Sequence, residues 1–220
     1  MTVKRRLDQL VTHPSGMLLG AQLLHVLAWP YLAGSVVGRS LLGVIGMLAV
    51  GSAVLAVRRT RLVSRVVLIL GAPAMVLTLL EAVFDDTDAI VLASGLLHCP
   101  FYFYVSYAML RYLLHDDEVT TDEYFATGAA FTVVAWGFAY AYSVLQVVWP
   151  DSFSSPAGSH QEWFELLYLS FSTLTSVGLS DIVAVGAHAR SFVMIEMMVG
   201  VFYIAMVVAR MVGLTMMRLR

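Results

Sequence analysis

Nine residues, TLTSVGLSD at positions 173–181, interrupt two long apolar segments with small polar side chains and one acid. The run is too short to cross a bilayer, because a transmembrane helix needs about 20 apolar residues. Irregular backbone at membrane depth occurs only where it is buried in protein or lines a water-filled path. If the rest of the chain is a membrane protein, these residues are expected to line such a path.

The composition is that of an integral membrane protein. Of the 220 residues, 60% are apolar and 13% are charged, whereas a soluble domain is about 45–50% apolar and about 25% charged. The apolar run at 17–37 is longer than a signal peptide core and further spans follow it, so a retained first helix is expected. Cys99 is the single cysteine, which excludes an intrachain disulfide.

Six apolar segments are predicted to span the membrane, at 16–37, 40–57, 66–84, 89–113, 125–149 and 188–214. The first two meet at Gly38-Arg39-Ser40, where one long bent helix is the alternative. With both termini cytoplasmic, all 13 basic residues except Arg39 and Arg190 lie inside. This distribution agrees with the positive-inside bias and favours a multi-pass protein of the cell membrane.

The last two predicted spans enclose a hairpin. Trp149-Pro150 ends the fifth span at an interface, and the polar turn DSFSSPAGSHQ follows. The apolar segment WFELLYLSFSTLTS, 163–176, suits a re-entrant half-helix better than a span. A half-helix that enters the bilayer and leads into extended polar residues is the arrangement of an ion filter.

The hairpin resembles the pore of the potassium channel family, whose filter reads T-x-T-T-V-G-Y-G-D. In bacterial members the inner helix often reads like ARSLAMLEALVGQLYLAVLVARLVG, and here 189–213 read ARSFVMIEMMVGVFYIAMVVARMVG. The pore helix is similar as well, and the resemblance covers roughly residues 119–214. It implies an all-α membrane protein with a four-helix N-terminal domain at 1–118 and a pore domain at 119–220.

The resemblance also implies how the filter works. Rings of backbone carbonyls from four copies of one loop replace the water around a potassium ion. The expected ion-binding residues are Thr175, Ser176, Val177, Gly178, Leu179 and Ser180. Potassium itself is expected at the carbonyls of 176–179, with the Ser176 hydroxyl at the innermost ring. A homotetramer in the bilayer follows, with potassium as the permeant ion, no cofactor and no nucleic acid.

Two positions depart from the family pattern. Leu179 replaces the aromatic residue that braces the filter, and Ser180 replaces the second glycine. A side chain in a left-handed conformation costs about 1–2 kcal/mol, so the outer filter is expected to relax. A non-selective cation channel and a non-conducting subunit with the same fold therefore remain alternatives.

Three further residues have expected roles in the pore. The resemblance places Asp181 at the outer mouth. Together with Asp151, Glu162 and Glu165 of four chains it is expected to form a negative vestibule that concentrates cations by focusing the field, unless these acids are only a solvated rim. Glu196 is an acid within an apolar helix and is expected to brace the filter through Ser170 or Ser172, or else to line the cavity. Gly200 is expected either to let the inner helix bend or to allow close packing.

The sequence of the first four predicted spans does not indicate a gating stimulus. The fourth span holds one arginine, Arg111, so it lacks the charge series of a voltage sensor. His98 and Cys99 are expected to be packing residues rather than metal ligands. The acidic link at 115–125, with its Asp122-Glu123 pair, is expected to be solvated, and it could couple the spans to the pore. No ligand-binding domain is visible in the sequence after the sixth span.

An enzyme is the rival class. Ser180, Asp181 and His188 are the residue types of a hydrolase, but the nucleophile elbow G-x-S-x-G is absent. No HExxH zinc motif occurs either. The sequence therefore predicts a protein that is not an enzyme.

Overall fold

The computed structural model describes residues 14–57, 61–84, 87–114, 120–156 and 158–218. The described chain is helical, with one two-stranded ribbon. Its helices are α1 (Pro14–Leu32), α2 (Val36–Val57), α3 (Arg61–Val83), α4 (Asp88–Leu113), α5 (Thr121–Val148), α6 (Trp163–Leu174) and α7 (Ala187–Arg218). Its strands are β1 (Phe153–Ser154) and β2 (Val183–Ala184). The expected domain boundary at 118/119 and the basic cluster at 4–6 lie outside the described residues.

Four helices of the described chain are long and apolar enough to cross a membrane. These segments are Arg65–Val83, Asp88–Leu113, Thr121–Val148 and Ala187–Val207. They correspond to the third to sixth predicted spans. The first two predicted spans correspond to α1 and α2. Within these two helices, Val36–Leu48 is an apolar stretch shorter than the four candidate spans.

The turn between α1 and α2 lies earlier than the sequence predicted. The break falls at 33–35, so Gly38 and Arg39 belong to the first turn of α2. Ser35 caps that turn, because its hydroxyl accepts the Gly38 N–H at 3.0 Å. A Cβ at Gly38 would lie 2.0 Å from the Leu32 carbonyl oxygen, so glycine is needed where the two helices meet.

Helix α5 is the centre of the fold and packs against α1, α4, α6 and α7. The hydrogen-bonded partners of α5 that lie farthest from it along the sequence are on α1. The Ser15 N–H and hydroxyl donate to the Asp122 carboxylate at 3.0 and 2.7 Å, and the Gln22 amide donates to the Ala129 carbonyl at 3.3 Å. The first helix is thereby fastened along one side of α5.

The prediction that the Asp122-Glu123 pair is solvated was wrong. Asp122 holds Ser15, and Glu123 is only 1% exposed. The Glu123 carboxylate lies 3.6 Å from the Arg210 guanidinium on α7. The spacing of acids in the link does not reveal this partner, because Arg210 lies far away in sequence. The start of α5 therefore connects α1 to α7.

The predicted polar turn at 151–161 contains a strand. β1 pairs antiparallel with β2, with Phe153 opposite Ala184 and Ser154 opposite Val183. The Ser152 carbonyl accepts the N–H groups of Val185 and Gly186 at 2.9 and 3.1 Å. Phe153 is buried against Tyr142, which explains why an apolar residue sits in an otherwise polar segment. The ribbon brings the chain before α6 next to the chain that precedes α7.

His98 and Cys99 lie on α4. His98 is buried, and its ring nitrogens lie 2.9 Å from the Thr78 hydroxyl and 3.0 Å from the Ser94 hydroxyl. Within the described ranges no group of three or more His, Cys, Asp or Glu residues is placed to hold a metal ion. The arrangement is that of a hydrogen-bonded packing residue.

Candidate ion filter

The half-helix α6 is positioned by bonds at its start. The Glu162 N–H donates to the Glu165 carboxylate at 2.8 Å, which satisfies one of the donors left over at a helix N-terminus. Just before it, Gln161 and Gln146 of α5 exchange two hydrogen bonds, at 2.9 and 3.1 Å. These contacts fix where α6 begins, and its buried face of Leu166, Leu167 and Ser170 fixes its rotation.

Ser172 holds the loop that follows α6. Its carbonyl accepts the N–H groups of Val177 and Gly178, both at 3.1 Å. Its hydroxyl accepts the Ser180 N–H at 3.0 Å. Three amides of the predicted filter therefore point back toward the end of α6, and one serine anchors them.

The backbone strain expected at Ser180 falls elsewhere. Among the described residues, the positions with positive φ are Asp151 and Ser176, at 59° each, and the glycines Gly158 and Gly178, at 133° and 70°. Ser180 is not in this set, so its side chain carries no left-handed penalty. The cost of about 1–2 kcal/mol instead falls on Ser176, at the inner end of the loop.

The filter carbonyls differ in what they contact. The Tyr168 hydroxyl of α6 donates to the Leu179 carbonyl at 3.0 Å. Within the described part of the chain, no donor reaches the carbonyls of Ser176, Val177 or Gly178. Val177 and Leu179 are 59% and 74% exposed. The loop thus presents four carbonyl oxygens at the surface of the chain. Those of Ser176, Val177 and Gly178 meet no donor in the described residues, and that of Leu179 accepts a hydrogen bond from Tyr168.

Glu196 joins three helices. The carboxylate is fully buried and accepts hydrogen bonds from the Tyr142 hydroxyl of α5 and the Ser170 hydroxyl of α6. Ser170 also lies 2.9 Å from the Ala135 carbonyl of α5. Of the two partners considered from sequence, Ser170 makes the contact, whereas Ser172 faces the filter. Glu196 is therefore in a bracing position rather than facing an open cavity.

Gly200 lies where α7 crosses the end of α6. A Cβ there would be 2.0 Å from the Leu174 carbonyl oxygen and 2.8 Å from its carbonyl carbon. Real Cβ atoms do not approach backbone this closely. Of the two roles considered from sequence, this contact supports close packing.

The acids of the predicted vestibule are on the surface. Asp151, Glu162 and Asp181 are exposed, and Glu165 also closes the first turn of α6. His188, the third residue type of the rival hydrolase hypothesis, stacks on Trp149 with ring centroids 4.1 Å apart. That contact gives its ring a packing role.

Two residues that contribute to the site, Tyr142 and Tyr168, were not predicted from the sequence. Tyr142 lies among other aromatic residues of α5, and nothing in its neighbourhood marks it as the partner of an acid 54 residues later. Tyr168 left a clearer signal, because a tyrosine on the half-helix can supply the hydroxyl that Leu179 lacks.

Comparison with known proteins agrees with this region. Residues 128–216 match the family model described as an ion channel. The match runs from within α5 through α6 to the last turn of α7, and it supports a transmembrane ion channel rather than an enzyme. No curated protein and no solved structure matches the chain.

Proposed function

We propose that the protein conducts potassium passively through a pore formed by four chains in the cell membrane. The observation that carries this proposal is the loop at 176–178. Its carbonyls meet no donor in the described chain, while the Ser176 amide donates to the Thr173 carbonyl and the Val177 and Gly178 amides donate to the Ser172 carbonyl. Carbonyl oxygens held in this way are the groups that replace the hydration shell of a potassium ion. Both termini are proposed to be cytoplasmic, which follows from the distribution of basic residues.

Four copies are needed because one loop cannot surround an ion. The chain has a surface that suits such an assembly. Large apolar side chains of α7 are exposed, including Met194, Met198, Val201, Phe202 and Ile204. Part of this surface is expected to pack against neighbouring chains and part against lipid.

Potassium flux tests the proposal directly. Proteoliposomes loaded with potassium should release it faster than matched vesicles release sodium. Gly178→Ala should abolish the flux, because its φ of 70° is strained for any other residue and the neighbouring carbonyls must turn. The measurement is ion efflux on equal amounts of reconstituted protein.

A matched variant separates filter chemistry from simple strain. Gly158→Ala also places a side chain at positive φ, with φ at 133°, but it lies outside the predicted filter segment, before α6 in the sequence. It should leave the ratio of potassium to sodium flux unchanged. Potassium flux that persists in Gly178→Ala would contradict a carbonyl filter at this position.

The Tyr168 hydroxyl is expected to stabilise the outer filter. Tyr168→Phe removes one hydrogen bond per chain, worth about 0.5–1.5 kcal/mol. The expected result is a several-fold drop in the ratio of potassium to sodium permeability, measured by ion substitution. Tyr31→Phe, at an exposed position on α1, is the control and should not change the ratio. An unchanged ratio of potassium to sodium permeability in Tyr168→Phe would show that the Tyr168 hydroxyl does not stabilise the filter.

A non-selective cation channel is the second candidate, and Leu179 is the observation that favours it. Its apolar side chain is 74% exposed and cannot hydrogen-bond, so within the described chain the Tyr168 hydroxyl alone holds the outer carbonyl. Equal potassium and sodium flux that is lost in Gly178→Ala would support this candidate. Absence of any flux would support a non-conducting subunit.

A further inference from the structure

A cavity of about 460 Å³ lies between the N-terminal helices, α5 and the residues that lead into α6. Aromatic rings form much of its wall: Trp29 from α1, Tyr102 from α4, Trp136 and Tyr140 from α5, and Trp163 from the start of α6. Its charged lining residues are Arg39, Glu81 and Glu162. The cavity belongs neither to the filter loop nor to the α7 surface.

The rings are in contact with one another and form a continuous wall. The centroid of Trp163 lies 5.3 Å from those of Trp29 and Tyr140, and 6.3 Å from that of Trp136. Tyr102 meets Trp136 edge to face at 5.6 Å. The face of an aromatic ring carries negative electrostatic potential and attracts cations, so a cavity lined by these rings suits a cationic ligand.

Buried polar atoms of the same wall have no partner in the described chain. Among them are the Nε1 atoms of Trp136 and Trp163 and the Oε1 atom of Gln161. Trp136 and Gln161 are each 1% exposed. The remaining polar atoms of Gln161 are used, since its Nε2 donates to the Gly158 carbonyl at 2.7 Å and its N–H to Gln146. Buried polar groups are rarely left unpaired, so these atoms are available to hydrogen-bond to a polar ligand in the cavity.

We propose that the cavity binds a small organic ammonium ion that also carries an oxygen acceptor. The ring faces and the Glu81 and Glu162 carboxylates suit the positive charge. An ammonium N–H donates to Gln161 Oε1, and the ligand oxygen accepts from the indole N–H groups. Arg39 does not reverse this preference, because its guanidinium bonds to the Ala33 and Ala82 carbonyls at 3.2 Å, near the ends of α1 and α3.

A ligand in this cavity would connect the N-terminal helices to the helix that leads into the filter. Gln161, Glu162 and Trp163 lie at the start of α6, and α6 ends at the filter loop. A ligand in the cavity would contact these residues and helices α1 to α5 together. This regulatory consequence rests on the proposed function, whereas binding itself does not.

Tryptophan fluorescence tests the binding, because three of the four tryptophans line the cavity. The purified full chain is titrated with 2-amino-1-phenylethanol, and separately with the neutral 1-phenyl-1,2-ethanediol, in which a hydroxyl replaces the amine. The amine should give a saturable change, and the diol should bind at least about tenfold more weakly, since a desolvated cation over an aromatic ring contributes about 2 kcal/mol.

Three variants locate the site. Glu81→Gln should weaken amine binding and leave diol binding unchanged, and Trp163→Phe should weaken both by removing an indole donor. Trp149→Phe, which removes the tryptophan stacked on His188, should change neither affinity. Equal affinities of the wild-type protein for amine and diol, or no saturable change with the amine, would overturn the proposal without any variant. An equal loss in Trp149→Phe and Trp163→Phe would overturn the location.

Discussion

Gly200→Ala is expected to abolish ion flux and to lower the thermal stability of the assembled protein. The new methyl group would lie 2.0 Å from the Leu174 carbonyl oxygen, and the atoms it meets are backbone rather than the end of a flexible side chain. Helix α7 must therefore move away from the end of α6, which also carries the filter loop. Overpacking of this kind costs about 1–3 kcal/mol in each chain. Flux from proteoliposomes and unfolding temperature in detergent measure the two effects.

The same helix provides the control. A Cβ added at Gly213 would meet nothing within 4 Å among the described residues outside its own stretch of helix, and Gly213 is exposed. Gly213→Ala should therefore leave flux near the wild-type level and should stabilise α7 slightly, because alanine is the better helix former. If Gly200→Ala and Gly213→Ala behaved alike, the contact with Leu174 would have no importance for the pore.

Glu196→Ala is the second change with a large expected effect. It leaves the Tyr142 hydroxyl buried without its acceptor, which costs about 1–3 kcal/mol. Ser170 keeps only the Ala135 carbonyl, so α6 loses its tie to α7. The expected results are a lower unfolding temperature and loss of potassium selectivity, measured by thermal unfolding and by the ratio of potassium to sodium flux.

Glu196→Gln distinguishes bracing from a role for the charge. The amide oxygen accepts from one hydroxyl and the amide nitrogen donates to the other, so most of the geometry is kept. A bracing role predicts near-normal selectivity in this variant and a severe defect in Glu196→Ala. If both variants lost selectivity to the same extent, the negative charge itself would be required.

Much of the pore region could be predicted because its pattern is local. The apolar segment expected at 163–176 corresponds to helix α6, Trp163–Leu174, and α5 ends beside Trp149, where the fifth predicted span was expected to end. Glu196 was expected to bond to Ser170 or Ser172, with a place in the cavity as the alternative, because an acid in an apolar helix needs a polar partner and because the resemblance places it near the pore helix. The helix bounds depend on residue type and on spacing within one segment, whereas the expectation for Glu196 depended on the resemblance.

The remaining features depend on contacts that spacing does not encode. The break between α1 and α2 lies at 33–35 rather than at the predicted 38–40, where Gly38 packs against the Leu32 carbonyl. Phe153 in the ribbon, the Glu123–Arg210 pair and the Tyr142 hydroxyl each have a partner at least 30 residues away along the chain. The aromatic cavity combines residues from six helices, and no single helix shows more than part of its wall.

The fastening of α1 along α5 has a consequence for biosynthesis. Ser15 and Gln22 each bond to a residue 107 positions later. At about 5–20 residues per second, ribosomes take roughly 5–20 s to add that length. During this interval the first helix has been made but its polar partners on α5 have not. Until Asp122 and Ala129 have been synthesised, the Ser15 hydroxyl and the Gln22 amide must therefore hydrogen-bond to water or to other groups.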